Sequence, residues 1–211
     1  VVRGAAPGDV LFFHFSGHGG QQVDTHGDEE DGMDETICPV DFDVAGQITD
    51  DDLFALLAAP LPAGCRLTAV LDCCHSGHGM DFPFTLHHED FVGRDFGGAA
   101  WACDMHMVRH AAADVILFSG CEDDQCSADA SGRYGRPAGA MTSAFIEVVT
   151  GPGHSYSSLL HDLKATLASR GFDQLPQISS THPFALQRRV ALDDIAPPAQ
   201  MRAGPVVRIP K

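Results

Sequence analysis

Three short apolar runs punctuate a polar, glycine-rich chain: Val10-Leu11-Phe12-Phe13-His14-Phe15, Leu67-Thr68-Ala69-Val70-Leu71 and Val115-Ile116-Leu117-Phe118. Their lengths, their β-branched and aromatic content and the small residues that stop them predict strands over 10–15, 66–71 and 115–118. Elsewhere the apolar spacing lengthens to a helical period. A helix is predicted from about Asp50 to Ala59, with carboxylates in its first turn, where the macrodipole favours them, and Pro60 just past its end. Further helices are predicted over 142–149 and 156–169, the second stopped by Gly171. The acidic segment 21–47, the Gly-, His- and Phe-rich segment 77–113 and the polar segment 119–140 show no period and read as loops. The tail from Ile195, with prolines at 197, 198, 205 and 210, reads as loosely held. Strands alternating with helices imply an α/β fold with a mostly parallel central sheet flanked by helices.

Composition narrows the function classes. A chain of 211 residues fits one domain with a sizeable core. No apolar stretch is long enough to cross a bilayer, and nothing resembles a signal peptide. Seven cysteines without regular pairing then suggest free thiols in a reducing compartment, and a cytoplasmic location is expected. The net charge of −16 argues against nucleic acid and suits cations, either metal or basic peptide.

The chemistry is concentrated just beyond two of the predicted strands. Ser16-Gly17-His18-Gly19-Gly20 follows the first, and Asp72-Cys73-Cys74-His75-Ser76-Gly77 follows the second. In an open α/β sheet, reactive groups gather beyond the carboxyl ends of strands. Neighbouring parallel strands would therefore bring His18 beside a cysteine. A cysteine attacks carbonyls as its thiolate and needs a base nearby, and histidine serves best near neutral pH. Small residues let the chain turn sharply there and leave amides of Gly19 and Cys74 free to stabilise an oxyanion. Cys73 and Cys74 point in different directions, and periodicity does not choose between them. His75 is a weaker base, because an adjacent residue in an extended turn points away. A zinc site from Cys73, Cys74, His75 and His78 is too tightly spaced for the usual geometry.

These segments resemble the metacaspases, caspase-fold cysteine peptidases. The resemblance extends to Gly27–Glu35, Ile48-Thr49-Asp50-Asp51, Ser119–Gln125, Gly139-Ala140-Met141-Thr142 and Leu175-Pro176-Gln177, covering roughly residues 7–185. It implies a caspase-like fold, with Cys74 as nucleophile and His18 as base. Cys73 departs from the family, which usually has Ser there, and an extra thiol beside the nucleophile would make the site more easily oxidised. The resemblance also implies cleavage after Arg or Lys in polypeptide substrates, a role in programmed cell death, and no membrane partner. A single copy is expected when the protein is complete. The rival readings are a non-proteolytic caspase-fold scaffold and a legumain- or gingipain-like peptidase without calcium dependence.

Two groups of acids have their own logic. Asp24 to Glu35 holds seven carboxylates in twelve residues, and Asp50-Asp51-Asp52 adds three more. Most acidic runs are solvated loops, but carboxylates gathered without Lys or Arg repel one another unless a cation joins them. Oxygen-only donors suit a hard cation such as calcium, and the spacing is not that of an EF-hand. The resemblance places activating, non-catalytic calcium at Asp34, Asp50, Asp51 and Asp81. Asp72, at the end of a buried strand, would either cap a local helix or loop or pair with a basic substrate side chain. The resemblance favours the second, with Ser16 and Asp72 lining the pocket.

The resemblance also suggests a layout. Residues 1–90 would be large-subunit-like, 91–113 a linker of the short, type I kind, 114–194 small-subunit-like and 195–211 a tail. Arg94 and Arg109 are the basic candidates for cleavage in the linker, against a reading as ordinary surface arginines. Family members carry a strand–helix–strand segment ahead of residue 1, so an exposed edge beside strand 10–15 is expected. Poor solubility or lost activity is expected for residues 1–211 expressed alone.

Overall fold

The computed structural model describes residues 2–27, 29, 31–74, 76, 79–86, 101–103, 109–120, 129–131, 137–151, 153–192 and 206–208. Its longest wholly buried strand is β5 (Arg66–Asp72). Such a strand must be covered on both faces, which suits the interior of an α/β sheet. On one side β5 pairs in parallel with β1 (Val10–Ser16), and on the other with β8 (Asp114–Ser119). The sheet continues through β11 (Gln177–Ser180), β6 (Phe84–Leu86), β7 (Trp101–Cys103) and β12 (Val206–Arg208), in the order β1-β5-β8-β11-β6-β7-β12. It is a mixed sheet: its β1–β5–β8 half and the β7–β12 pair are parallel, whereas β11 runs antiparallel to β8 and β6, and β7 antiparallel to β6.

Alternate residues of β5 and β8 feed two cores. Val70, Ile116 and Phe118 pack under α3 (Ala140–Val149) and α4 (Tyr156–Ser169) with Phe145, Leu159 and Leu163. Leu67, Ala69, Leu71, Val115 and Leu117 face the other way, onto Leu53, Leu57 and Ala58. Those last residues belong to α2 (Asp50–Leu53) and the single π-helical turn, Phe54–Ala58, that extends it. Thr49 caps α2 by accepting a hydrogen bond from the Asp52 amide at 3.0 Å. Helix α4 opens with a capping box, the Ser155 hydroxyl accepting from the Ser158 amide and the Ser158 hydroxyl from the Ser155 amide. It ends before Gly171, whose φ of +82° few other residues adopt cheaply.

The segment expected to be an acidic loop, 21–47, contains regular elements. The second of its strands, β3 (Met33–Cys38), pairs antiparallel with both β2 (His18–Val23) and β4 (Ile48–Thr49), and a short α1 (Phe42–Ala45) follows. Asp34, Glu35 and Thr36 are buried in β3, so this strand carries none of the apolar alternation that announces one. The segments read as loops over 77–113 and 119–140 likewise contain β6, β7 and a small antiparallel hairpin of β9 (Asp129–Ser131) and β10 (Pro137–Gly139). Within the tail, 206–208 forms the last strand of the central sheet. At the other margin of the sheet, β1 leaves Val10 and Phe12 exposed, at 41% and 51%, and no other strand pairs with its outer edge among the described residues.

Candidate active site

The parallel register of β1 and β5 sets the geometry. Ser16 lies opposite Asp72, and the Gly17 amide donates to the Asp72 carbonyl at 3.2 Å. The two strands thus end side by side. His18 opens β2 with an exposed side chain. Gly19 runs directly against the Cys74 backbone: a Cβ at Gly19 would stand 2.0 Å from the Cys74 carbonyl oxygen. Only glycine lets the segment bearing His18 approach the segment bearing Cys74 so closely.

The two neighbouring thiols have opposite surroundings. Cys73 is 1% exposed and belongs to the core under α2, beside Ile37, Leu53 and Leu71. Cys74 is partly exposed. A third thiol, which the sequence did not single out, sits close by: Cys38 of β3 lies in register with His18. Burial pushes its pKa up, so it remains a protonated thiol at neutral pH. His75, Gly77, His78 and Arg94 lie outside the described residues.

Asp72 is 2% exposed, and its Oδ2 accepts from the Thr142 amide at 2.7 Å, in the first turn of α3. The carboxylate therefore sits at a helix N-terminus, where unpaired amides and the macrodipole favour an anion. Gly139 makes this possible, because a Cβ there would fall 1.9 Å from the same oxygen. The Thr142 hydroxyl in turn meets His14 Nε2 at 3.1 Å, which ties β1 to the helix. Ser16 is exposed at the mouth of this arrangement. The segment Gly139–Thr142 stood out in the sequence, but nothing in its residue types tells that it holds Asp72.

The acidic residues also converge. Carboxylate oxygens of Glu29, Glu35, Asp50 and Asp81 lie within 4.8 Å of one another, and all but Glu29 are buried. Asp50 Oδ2 accepts from the Glu35 amide at 3.2 Å and Oδ1 from the Asp51 amide at 2.7 Å. Its pKa is nonetheless pushed up to about 6, mainly by burial and further by Asp34. Those two amides and the Arg109 charge pull the other way. Of the residues singled out in the sequence, Asp50 and Asp81 stand in this cluster and Asp34 and Asp51 flank it. Asp51 contacts His26 Nδ1 at 3.1 Å and pairs with Arg109.

Glu29 and Glu35 were not singled out as ligands, although both lie in the acidic run. Asp81 has a φ of +48°, the one positive value outside glycine among the described residues, and Asp tolerates that region better than most. Glu35 also accepts from Gln21 Nε2 at 3.1 Å across the β2–β3 ladder, so the cluster is tied to the strand that begins with His18.

Known proteins resemble this chain over most of its length. Residues 1–83 match the family model "Metacaspase, peptidase C14 domain". A protein of Mycosarcoma maydis named Metacaspase-1 is 41% identical over 87% of this chain and 54% of its own length. Metacaspase-1 of Scheffersomyces stipitis is 42% identical with the same coverage, and that of Schizosaccharomyces pombe 40% identical over 91% of this chain. The chain thus spans about half the length of these relatives. A crystal structure of a Geobacter sulfurreducens protein superposes with a TM-score of 0.56 at 26% identity, covering 89% of this chain and 73% of that one.

Proposed function

Since the chain belongs to the metacaspase family, we propose that its protein is a calcium-dependent cysteine endopeptidase that cleaves after Arg or Lys, with His18 and Cys74 as its dyad. The observation that carries the reading is the contact of Gly19 with the Cys74 carbonyl at the paired ends of β1 and β5. It brings a base-bearing turn and a thiol-bearing turn into one crevice, where the better-exposed thiol is Cys74.

In this mechanism His18 takes the Cys74 proton, and the thiolate attacks the carbonyl carbon of the scissile bond. The Gly19 and Cys74 amides stabilise the oxyanion. His18 then protonates the departing amine, leaving a thioester, and afterwards takes a proton from the water that hydrolyses it. The Asp72 carboxylate, with Ser16 at the rim, is the counter-charge for the substrate's Arg or Lys. Its hydrogen bond from the Thr142 amide, in the first turn of α3, fixes the orientation of that carboxylate.

The carboxylates fit calcium. The donors are all oxygens, as a hard cation requires, and a positive group already stands among them in the guanidinium of Arg109. Glu29, Glu35, Asp50 and Asp81 would hold the ion, with Asp34 and Asp51 adjoining. When bound, calcium would supply positive charge that lets these carboxylates stay together ionised. The chain's own contribution is mechanical: Glu35 lies on β3, whose ladder with β2 carries His18, and it helps line the space beside Cys73. Order in the cluster would therefore reach both halves of the dyad.

The test is hydrolysis of Arg-ending and Asp-ending peptide reporters by the full-length protein, with calcium and with chelator, for the parent and for Cys74→Ala. Arg cleavage that needs both calcium and Cys74 is expected. Preference for the Asp reporter, or indifference to calcium, would overturn the specificity or the cofactor.

A further inference from the structure

Arg109 stands inside the acidic cluster, although it comes from a different part of the chain than any of the carboxylates. Its Nη1 lies 3.0 Å from Asp81 Oδ2, and its Nη2 pairs with Asp51. The guanidinium carbon sits 5.8 Å from the centroid of the Phe54 ring, within reach of a cation–π attraction. Its side chain is 16% exposed, against 3% for Asp81. A guanidinium does not lose its proton in a protein, so Arg109 cannot escape burial by becoming neutral and must keep anionic partners. The crowded carboxylates have the matching need: they repel one another unless a cation joins them.

We propose that Arg109 is the resident counter-cation of this cluster and that a divalent cation binds by competing with it. The inference rests on the calcium reading above. Both cations draw on the same carboxylate, Asp81, which belongs to the cluster and to the Arg109 pair. Binding of the divalent ion and seating of Arg109 therefore oppose each other, and by linkage the opposition is reciprocal. With Arg109 seated, the cluster is held together without metal, at the cost of a higher concentration threshold for the ion. The arrangement sets when the peptidase becomes competent rather than whether it can.

The experiment compares calcium affinity, by calorimetry and by terbium luminescence, in full-length protein carrying Cys74→Ala to prevent self-cleavage. Arg109→Gln removes the competing charge and Arg109→Lys keeps it. Arg109→Gln should bind calcium at least tenfold more tightly than the parent and gain more thermal stability from it, and Arg109→Lys should stay within about threefold. Affinity equal to or weaker than the parent in Arg109→Gln would overturn the inference and make Arg109 an organiser of the site. Absence of calcium binding in all three proteins would overturn the calcium reading together with it. Should Arg109→Gln fail to fold, labelling of the parent with phenylglyoxal decides: Arg109 should become reactive on adding calcium. Equal protection with and without saturating calcium would refute the competition.

Discussion

Replacing Gly19 by alanine tests whether the packing of two backbones creates the active site. The added Cβ would lie 2.0 Å from the Cys74 carbonyl oxygen, 3.1 Å from its carbonyl carbon and 3.2 Å from Cys73 Cβ. Ordinary contact begins near 3.4 Å, so one backbone must retreat by about 1.4 Å. Neither can bend aside like the tip of a side chain. The backbone of Gly19 lies outside the left-handed region, so the effect is steric and not conformational. Misplacing a catalytic group by about 1 Å costs on the order of 100-fold in rate. Gly19→Ala should thus lower kcat/KM for an Arg-ending reporter by about 100- to 1000-fold, or about 3–4 kcal/mol. Because the Asp72 pocket is untouched, the loss should fall on kcat more than on KM. Overpacking should remove about 1–3 kcal/mol of stability, a fall in Tm of about 2–12 °C. The assay is steady-state kinetics on folded protein, checked by circular dichroism. A folded Gly19→Ala enzyme within threefold of the parent would refute the reasoning.

Further predictions concern Asp72, Asp50 and Arg66. Asn serves as well as Asp at a helix N-terminus, so Asp72→Asn should change stability by less than about 1 kcal/mol. It should nevertheless lower kcat/KM for Arg reporters by about 2–5 kcal/mol, the usual cost of removing one partner of a buried charge pair. Equal losses in both measurements would mean that Asp72 is only a cap. Asp50 makes metal-free stability depend on pH. Its folded pKa, about 6 against 3.8, means that the native state holds the proton more tightly than the unfolded chain. The contribution is full below about pH 4 and lost as pH rises through 6, about 3 kcal/mol in all. Denaturation in chelator should show this loss in the parent and not in Asp50→Asn; parallel curves would contradict it. Burial lowers His182, with Asp114 opposing and His110 adding to the shift, so its own contribution is present above about 6.5 and falls away in acid in both proteins. Finally, Arg66 bonds Asp114 at 2.9 Å and the Tyr156 hydroxyl at 3.2 Å in a fully buried setting. Arg66→Gln should cost about 3–5 kcal/mol, read as urea unfolding midpoint. The kcat/KM of the folded fraction should be unchanged, because Arg66 stands about 20 Å down β5 from Asp72.

Strands over 66–71 and 115–118 and the helix over 156–169 fall where expected, because Leu, Val, Ile and Phe there have only the core to go to. The strand over 10–15 also falls where expected, although its alternate residues Val10 and Phe12 are exposed. What remained hidden is polar and buried. Asp34-Glu35-Thr36 forms a strand because a carboxylate cluster and two neighbouring strands surround it, a tertiary cause that leaves no local pattern. The same holds for β11, whose Gln177, Ser179 and Ser180 are buried between β8 and β6. Periodicity does not choose between Cys73 and Cys74, and the resemblance favours Cys74; in the fold Cys73 is buried and Cys74 is partly exposed. Arg109 drew notice only as a basic residue in a linker. Its place among the carboxylates depends on a chain path that no spacing encodes.

Cys74, paired with His18, is expected to be the thiol that attacks after a basic residue. The most direct measurement is covalent labelling of the full-length, calcium-treated protein with a peptidyl-arginyl chloromethyl ketone, followed by peptide mass mapping. One adduct is predicted, on Cys74, formed at least 100-fold more slowly in His18→Ala, because the thiolate then lacks its base. An adduct on Cys73 or Cys38, or labelling at an equal rate without His18, would rule out this dyad.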